Sequence, residues 1–500
     1  MMDRRKFLKL SAASGSLAAA GASGLLAACG SGSAVQGPTD RVSNGRFYRA
    51  ASVSPENLTL TARQANVEIA PGVHSRILTW GDGPIGPTIE ARTGQRATIL
   101  MRNQLTEPTI AHWHGLRPPE AADGHPRLAV GPGKNYAYDF EIGERSGLYW
   151  YHSHAHRRTA AQVYLGLAGL FIVRDDAEEA LALPSGGREL SLILQDKRQD
   201  ASGQLVYSDM GPQLMEGFLG EAPFVNGVRF PRIEVDSAQY RLRILGAANA
   251  RIFRVALSNG SPLVLIGTDG GLLDVPATLT YVDIGTGERA DLLVDFSGLV
   301  AGTVVRLQSL GFPSPSGGMG MMGRGGMGMG GMGMGGGGRP QGAQIDLLEF
   351  VVTRDVREMR PIPATLVPLQ RLDRADARRQ RVFRFDSVMM NHTINGRPFE
   401  MERVDERVPF GATEVWRFVN DAPFPHPIHM HAVHFQVLMR TGGRGRVFPW
   451  ERGWKDTVLV FPGEAVDVIA RFDSQRGMFL LHCHNLEHED NGMMMNFVIE

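Results

Sequence analysis

Residues 481–494 read LHCHNLEHEDNGMM and hold one of the two cysteines of this chain between two histidines. In an extended strand, side chains two positions apart face the same side and the residue between them faces the other. His482 and His484 should therefore point one way and Cys483 the other, with His488 and Met493 five and ten residues beyond the thiol. Imidazole, thiolate and a weak thioether are the donors of a blue-copper centre, whereas a lone Cys with Met makes a poor structural zinc site.

The histidines elsewhere in the chain follow the same pattern. Of 15 histidines, ten fall in four short stretches, and eight of those ten form H-x-H pairs. The spacing of about 7 Å between the Cα atoms of such a pair lets two imidazoles reach neighbouring metal ions from one strand. Four pairs in one chain have no ordinary packing explanation, so they predict a metal centre. The pairs are His112/His114, His152/His154, His429/His431 and His482/His484, and His426 supplies a further imidazole beside Cys483.

The N-terminus is typical of an export signal. Arg4-Arg5 followed by Lys6-Phe7-Leu8-Lys9 resembles a twin-arginine signal, and Leu26-Ala27-Ala28-Cys29 resembles a bacterial lipobox. We therefore expect residues 1–29 to be a twin-arginine signal with a lipobox that is cleaved before Cys29, which becomes the lipid-anchored N-terminus. Residues 30–49 would be a tether, and the protein would face the periplasm or the outside. The alternative is an ordinary signal with an incidental cysteine. Only Cys483 would then remain in the body of the chain, where a thiol survives if it is buried or bound to metal.

Three parts of the chain have the short, turn-separated apolar runs that indicate β-sandwiches. We predict an all-β protein with domains at 50–176, 187–355 and 380–500. A Gly- and Met-rich insertion at 314–338 interrupts the second domain and cannot bury a core. The 52 basic and 52 acidic residues cancel, so the charge indicates no nucleic-acid partner. We expect a monomer that touches a membrane only through Cys29.

With these motifs in place, the chain from about residue 55 onwards resembles the multicopper oxidases, the three-cupredoxin-domain group that contains laccases and bacterial cuprous oxidases. The segments that carry the resemblance are His112-Trp113-His114-Gly115, His152-Ser153-His154, His426-Pro427-Ile428-His429-Met430-His431, and His482-Cys483-His484 through Met493. The resemblance implies three consecutive cupredoxin-like Greek-key β-sandwiches and four copper ions.

The ligand set is carried over from the family position by position. Type 1 copper would be bound by His426, Cys483, His488 and Met493, and type 2 copper by His112 and His429. The type 3 pair would take His114, His152, His154, His431, His482 and His484. The resemblance further implies that a donor is oxidised one electron at a time near the surface of the third domain. Electrons would pass through Cys483 to a trinuclear cluster that reduces dioxygen to water.

Two carboxylates match acidic positions of the family. Asp123, in an Asp123-Gly124 turn, would lie near type 2 copper, and Glu489, next to His488, would lie near the type 3 pair. Both are candidates for relaying protons or orienting waters. The alternatives are a turn-forming Asp and a solvated Glu. For His74, His125, His156, His392 and His434 we expect surface or packing roles.

The substrate that donates the electrons is the least determined part of the prediction. Cuprous oxidases of the family carry Met-rich segments, and thioethers bind Cu(I) selectively. The candidate substrate residues are Asp421 together with Met319, Met321, Met322, Met327, Met329, Met332 and Met334. One departure is that Phe424 occupies the place where the cuprous oxidase pattern has Met. We favour Cu(I) as the substrate and a role in copper tolerance. The alternatives are a general laccase acting on small phenols and a non-enzymatic copper-binding or cell-division cupredoxin protein.

Overall fold

The computed structural model describes residues 45–208, 210–313, 338–388 and 391–500. Strands make up most of the regular structure in these ranges, which confirms the predicted all-β class. The predicted signal, Cys29 and the run from Met319 to Met334 lie outside the described residues. No helix in the described ranges is long and apolar enough to cross a membrane.

The first part of the chain forms two sheets. Their strands alternate between buried and more exposed residues where one face is solvated, as in the fifth and seventh strands, and are buried throughout where both faces are covered, as in the eighth. The sheets have the orders β1-β4-β9-β8-β6 and β3-β2-β5-β7. The strands are β1 (Ser52–Val53), β2 (Leu58–Ala70), β3 (Val73–Thr79), β4 (Thr88–Arg92), β5 (Arg96–Asn103), β6 (Ala111–His114), β7 (Asn135–Glu141), β8 (Gly147–Ser153) and β9 (Ala168–Arg174).

The middle part is a single network of strands, because one long strand pairs in both of its sheets. The first half of that strand, β13, pairs with β20, and its second half pairs with β10 and β18. The strands are β10 (Glu189–Lys197), β11 (Ala222–Val225), β12 (Val228–Arg229), β13 (Arg232–Gly246), β14 (Phe253–Leu257), β15 (Leu263–Thr268), β16 (Gly271–Leu279), β17 (Val282–Ile284), β18 (Arg289–Asp295), β19 (Val304–Ser309) and β20 (Ile345–Glu358). The Met-rich insertion lies between β19 and β20, which are antiparallel neighbours.

The last part again forms two sheets, with the orders β22-β21-β24-β28-β26 and β23-β30-β29-β25-β27. Its strands are β21 (Arg379–Val388), β22 (Asn391–Ile394), β23 (Val404–Val408), β24 (Thr413–Asn420), β25 (His426–Met430), β26 (Phe435–Thr441), β27 (Thr457–Val460), β28 (Ala465–Arg471), β29 (Gly477–Cys483) and β30 (Met494–Ile499). The helices of the described residues are short: α1 (Thr159–Leu165), α2 (Asp176–Glu179), α3 (Pro212–Glu216) and α4 (Leu486–Asp490).

Each of the three parts has its own apolar core. The three largest clusters of buried apolar residues lie one in each part: the largest in the middle part, the next in the last part and the third in the first part. Cys483 and Met493 both belong to the core of the last part, together with Phe479 and Leu481 of β29. The thiol therefore faces into this sandwich, while His482 and His484, its neighbours in the chain, face out of it. The alternation predicted from the strand pattern is confirmed.

Candidate metal centre

Strand register brings the four H-x-H pairs together. His112 on β6 lies directly opposite His152 on β8, and His429 on β25 lies directly opposite His482 on β29. Rings from the first and the last part of the chain then meet: those of His112 and His429 are 5.6 Å apart between centroids. All eight histidines of the pairs are fully buried. The histidines separated by more than 300 residues in sequence thus form one cluster.

Hydrogen bonds orient the rings of His112 and His429 in the same way. Nδ1–H of His112 donates to the main-chain oxygen of Asp123 (2.6 Å), and Nδ1–H of His429 donates to that of Asp456 (2.9 Å). With hydrogen on Nδ1 the two Nε2 atoms carry lone pairs, and they face each other at 3.4 Å. Two buried lone pairs at this distance repel each other, and a metal cation between them removes the repulsion.

The remaining six histidines form two further groups of three. The candidate ligand atoms of His114, His152 and His484 lie within 4.8 Å of one another, and so do those of His154, His431 and His482. Within the described residues, several of these buried nitrogens have no hydrogen-bond partner: Nδ1 of His114, Nε2 of His152, Nδ1 of His154 and both ring nitrogens of His484. Leaving such nitrogens unpaired is costly.

Burial also keeps these rings neutral, which is the form that binds metal. It lowers the pKa of His112, His114, His152 and His484 well below the ordinary value, and neighbouring imidazoles lower it further. The same cause lowers the pKa of His154 to about 3. Unpaired, neutral, convergent nitrogens fit the copper ions that the sequence implies for this cluster.

A second site lies on the other side of Cys483. Its Sγ is 3.2 Å from Nδ1 of His426 and 3.7 Å from Nδ1 of His488, and the two Nδ1 atoms are 3.1 Å apart. The amide of Cys483 donates to the main-chain oxygen of Met493, and the amide of Met493 donates to that of His488, so Met493 lies against two of these three residues. Burial raises the pKa of the Cys483 thiol well above its ordinary value. A bound cation would favour the thiolate, and this donor set fits copper.

The residues of the sulfur site are shielded from solvent. The sequence predicts this site near the surface of the last domain, and His426, Cys483 and His488 are all fully buried. Residues of the middle part cover it: Nε2–H of His488 donates to the main-chain oxygen of Met215 in α3 (2.9 Å).

Asp123 connects two of the clustered histidines. It follows a short 3-10 turn, Glu120–Ala122, and its Oδ2 accepts a hydrogen bond from Nδ1 of His431 (2.8 Å). Its Oδ1 is 3.7 Å from Nδ1 of His112. The turn needs Gly124, whose φ is +85° and whose added Cβ would lie 2.2 Å from the oxygen of Ala111. Burial raises the pKa of Asp123 well above its ordinary value.

Glu489 lies against two other histidines of the cluster. Its Oε2 is 3.2 Å from Nδ1 of His482, and its Oε1 is 3.7 Å from Nε2 of His154. It is fully buried, which raises its pKa. Both carboxylates are buried, so the alternative that Glu489 is a solvated side chain does not hold in this structure. The roles in proton transfer stay predictions.

Sequence reasoning missed two residues that orient the cluster. Asp456 precedes β27, and its Oδ1 accepts from Nε2–H of His114 (3.0 Å), which leaves Nδ1 of His114 for metal. Arg289, from the middle part, donates to the same carboxylate (2.7 Å). Burial alone would raise the pKa of Asp456, but Arg289 and His114 hold it well below the ordinary value. No spacing rule links Arg289 to a histidine more than a hundred residues away.

Three of the five remaining histidines form specific contacts. His392 stacks on His488, with ring centroids 4.3 Å apart and planes at 20°. His125 pairs with Asn496 (2.9 Å), and His434 donates to the main-chain oxygen of Gly115 (2.7 Å). Asp421, a candidate substrate residue, forms a surface ion pair with Arg384 (2.8 Å). The other candidates, Met319 to Met334, lie outside the described residues.

Comparisons with known proteins agree with this geometry. Residues 61–178 and 368–500 match two family models described as multicopper oxidase. A laccase of Bacillus stratosphericus is 30% identical over 487 aligned residues, covering 84% of this chain and 90% of the laccase. The crystal structure of the McoA multicopper oxidase of Aquifex aeolicus superposes with a TM-score of 0.82 at 33% identity, covering 92% of this chain and all of that one. The cell-division protein FtsP of Escherichia coli is also similar, 30% identical with 81% coverage of both chains.

Proposed function

This chain belongs to the multicopper oxidase family, and from that premise we propose that it oxidises Cu(I) at a type 1 site and reduces dioxygen to water at a trinuclear copper site. The observation that carries the proposal is the position of Cys483. Its Sγ lies between His426 and His488, and its chain neighbours His482 and His484 belong to two different groups of the histidine cluster. The end of β29 and the residue that follows it therefore join both sites through the main chain.

The residues that would hold copper follow from the groups described above. His426, Cys483, His488 and Met493 would hold the first ion, and His112 and His429 the second. The two groups of three would hold the remaining pair, His114 with His152 and His484, and His154 with His431 and His482. When bound, copper supplies one-electron chemistry, accepting electrons singly from the donor and passing four of them to dioxygen.

The other steps depend on side chains of the protein. Reduction of dioxygen to two waters consumes four protons, and the buried carboxyls of Asp123 and Glu489 each contact histidines of the cluster. We propose that the two carboxyls hold protons at Oδ1 of Asp123 and Oε1 of Glu489, which have no hydrogen-bond partner within the described residues. The clamp of Arg289 on Asp456 fixes the tautomer of His114 and so keeps its Nδ1 free of hydrogen.

Two other functions remain as candidates. A general laccase is favoured by the similarity to a Bacillus laccase, and a non-enzymatic role by the similarity to FtsP. The complete set of unpaired, convergent nitrogens favours a redox enzyme, because a purely structural protein has no use for buried donors without partners. We further propose a role in copper tolerance and export of the protein by the twin-arginine pathway to a lipid-anchored, periplasmic or extracellular location.

Copper content and oxygen consumption test the enzyme against the non-enzymatic alternatives. We expect purified protein to bind about four coppers per chain and to absorb at about 600 nm through the bond between thiolate and copper. Addition of Cu(I) should then cause oxygen uptake at about one dioxygen per four Cu(I), the ratio that full reduction to water requires. A protein that binds one copper or none, or that binds copper without taking up oxygen, contradicts the proposal.

The Met-rich insertion tests the choice of donor. Deletion of residues 316–338 should lower the rate of Cu(I) oxidation and leave or raise that of dimethoxyphenol, because thioethers attract Cu(I) and obstruct bulky phenols. A matched control replaces the same residues with a Gly/Ser segment of equal length, which keeps the connection between β19 and β20. Loss of phenol oxidation with unchanged Cu(I) oxidation would favour the laccase alternative.

A further inference from the structure

The ring of His488 is shielded by a short piece of chain that no sequence motif marks. This piece, residues 211–218, is called the cover below. It contains α3, and the last carbonyls of a helix have no partners within it. Three of them are satisfied by side chains of the last part of the chain. Leu214 accepts from Nε2–H of His392 (2.7 Å), Met215 from Nε2–H of His488 (2.9 Å), and Glu216 from Nδ2 of Asn485 (3.1 Å).

The hydrogen bond from His488 occupies the polar edge of that ring. Nδ1 of His488 faces the sulfur site, so Nε2–H is the only polar group of this ring that an approaching substrate could bind. One face of the ring is also covered, by the stacked ring of His392. A phenol that is to hydrogen-bond to His488 must therefore displace the carbonyl of Met215 and move the cover.

A single buried carboxylate holds the cover at its end. Oε2 of Glu487 accepts from the amide of Phe218 (2.9 Å), while Oε1 accepts from Tyr207 (3.0 Å), just before the cover, and from Asn249 (2.7 Å). Glu487 lies in α4 directly before His488 and is 1% exposed. The residue that anchors the cover and the residue that the cover shields are thus neighbours on one helical turn.

The hinge of the cover is constrained as well. Gly217 has a φ of +89°, and an added Cβ would lie 2.3 Å from Cβ of Ala250 and 2.5 Å from Nδ2 of Asn485. Phe218 packs against the ring of Tyr164, with centroids 4.7 Å apart. These packing contacts and the hydrogen bond from the amide of Phe218 to Glu487 hold the cover in place over His488.

We propose that the cover, anchored by Glu487 and Tyr207, decides which substrates this enzyme oxidises: phenols reach His488 only when the cover opens, whereas Cu(I) accepts no hydrogen bond from His488 and does not need the cover to open. This rests on the proposed function. Each Cu(I) gives up one electron and becomes Cu(II), and dioxygen is the final acceptor. If the open form is rare, the apparent kcat/KM for a phenol is proportional to its population. Glu487 and Tyr207 are positioning residues, since they act through the cover.

The test measures both the amide hydrogen exchange of the cover and the preference of the enzyme for a phenol or for Cu(I). Tyr207→Phe removes one hydrogen bond to Glu487 and should raise the open population about fivefold, the factor expected for one hydrogen bond. Amide exchange of Gly217 and Phe218, followed by mass spectrometry of copper-loaded protein, should accelerate by this factor. kcat/KM for dimethoxyphenol should rise by the same factor, and that for Cu(I) should change less than about twofold.

Two further variants make the result decisive. Glu487→Gln places an amide N–H opposite the amide of Phe218 and should give the same correlated changes by a larger factor, about tenfold. Tyr240→Phe is the matched control, because this hydroxyl accepts from the amide of Asp236 in the middle part and does not touch the cover. The absorption at about 600 nm should persist in all three variants.

The outcomes separate this inference from the proposed function. Exchange that does not accelerate in Tyr207→Phe and Glu487→Gln overturns the anchoring by Glu487. Accelerated exchange without faster phenol oxidation, or with an equal rise for Cu(I), overturns the role in donor choice. If the wild-type protein consumes no oxygen with either donor, the proposed function itself fails.

Discussion

Replacement of Cys483 by Ser is expected to abolish both the absorption at about 600 nm and steady turnover, while most of the remaining copper stays bound. The absorption comes from thiolate bound to copper, and a hydroxyl does not replace it. Cys483 also connects the two sites, because its Sγ lies beside His426 and His488 and its chain neighbours His482 and His484 belong to the histidine cluster. Electrons from the donor then have no path to the site that binds dioxygen.

The measurement is copper per chain, the visible spectrum and oxygen uptake on the same preparation. We expect about three coppers per chain and a loss of turnover of at least about a thousandfold. The control is Val468→Thr, which places a hydroxyl in the same buried core on β28 at a cost of about 1–3 kcal/mol. Val468→Thr should stay blue and active. Substantial turnover in Cys483→Ser would contradict the assignment of this residue as the link.

Replacement of Asp123 by Asn is the second change with a large expected effect. The Asn side chain can keep its oxygen toward Nδ1 of His431, which now donates to Oδ2 over 2.8 Å, but it cannot accept and release a proton. We expect oxygen uptake to slow about a hundredfold, the lower end of what general acid–base catalysis contributes. The sulfur site does not touch Asp123, so the absorption at about 600 nm should persist. Substrate should bleach this absorption as fast as it does in the wild type, because reduction of the sulfur site does not involve Asp123.

Stopped-flow reduction without oxygen, followed by reoxidation with it, separates the two halves of the reaction. Only reoxidation should slow in Asp123→Asn. Asp139→Asn is the matched control, since Asp139 is an exposed carboxylate of the same part of the chain, paired with Arg96 (2.7 Å). Unchanged reoxidation in Asp123→Asn would reduce Asp123 to a turn residue that orients His431 and His112.

The ligand positions could be predicted because each depends on local geometry. An H-x-H pair in a strand puts two rings on one side whatever surrounds it, and the residue between them faces the other side. The strands β6, β25 and β29 behave in this way, so Cys483 enters the apolar core while His482 and His484 enter the cluster. The turn at Asp123-Gly124 was equally readable, since Gly124 has the positive φ that turns require.

The orienting groups could not be predicted in the same way. Arg289 reaches Asp456 only because the middle part of the chain packs against the other two, and the polar residues around β27 give no sign of that partner. His392 lay outside every motif, yet it stacks on His488. Contacts of this kind depend on how separate sandwiches pack, which strand periodicity does not encode.

By itself, the sequence determined the all-β class, the side to which each ligand points, and the identity of the donors that fit copper. The tertiary structure decided how accessible the sulfur site is. His488 is shielded through the main-chain oxygen of Met215. Every residue carries such an oxygen, so its role leaves no mark in the amino-acid sequence and arises only when α3 is packed against α4.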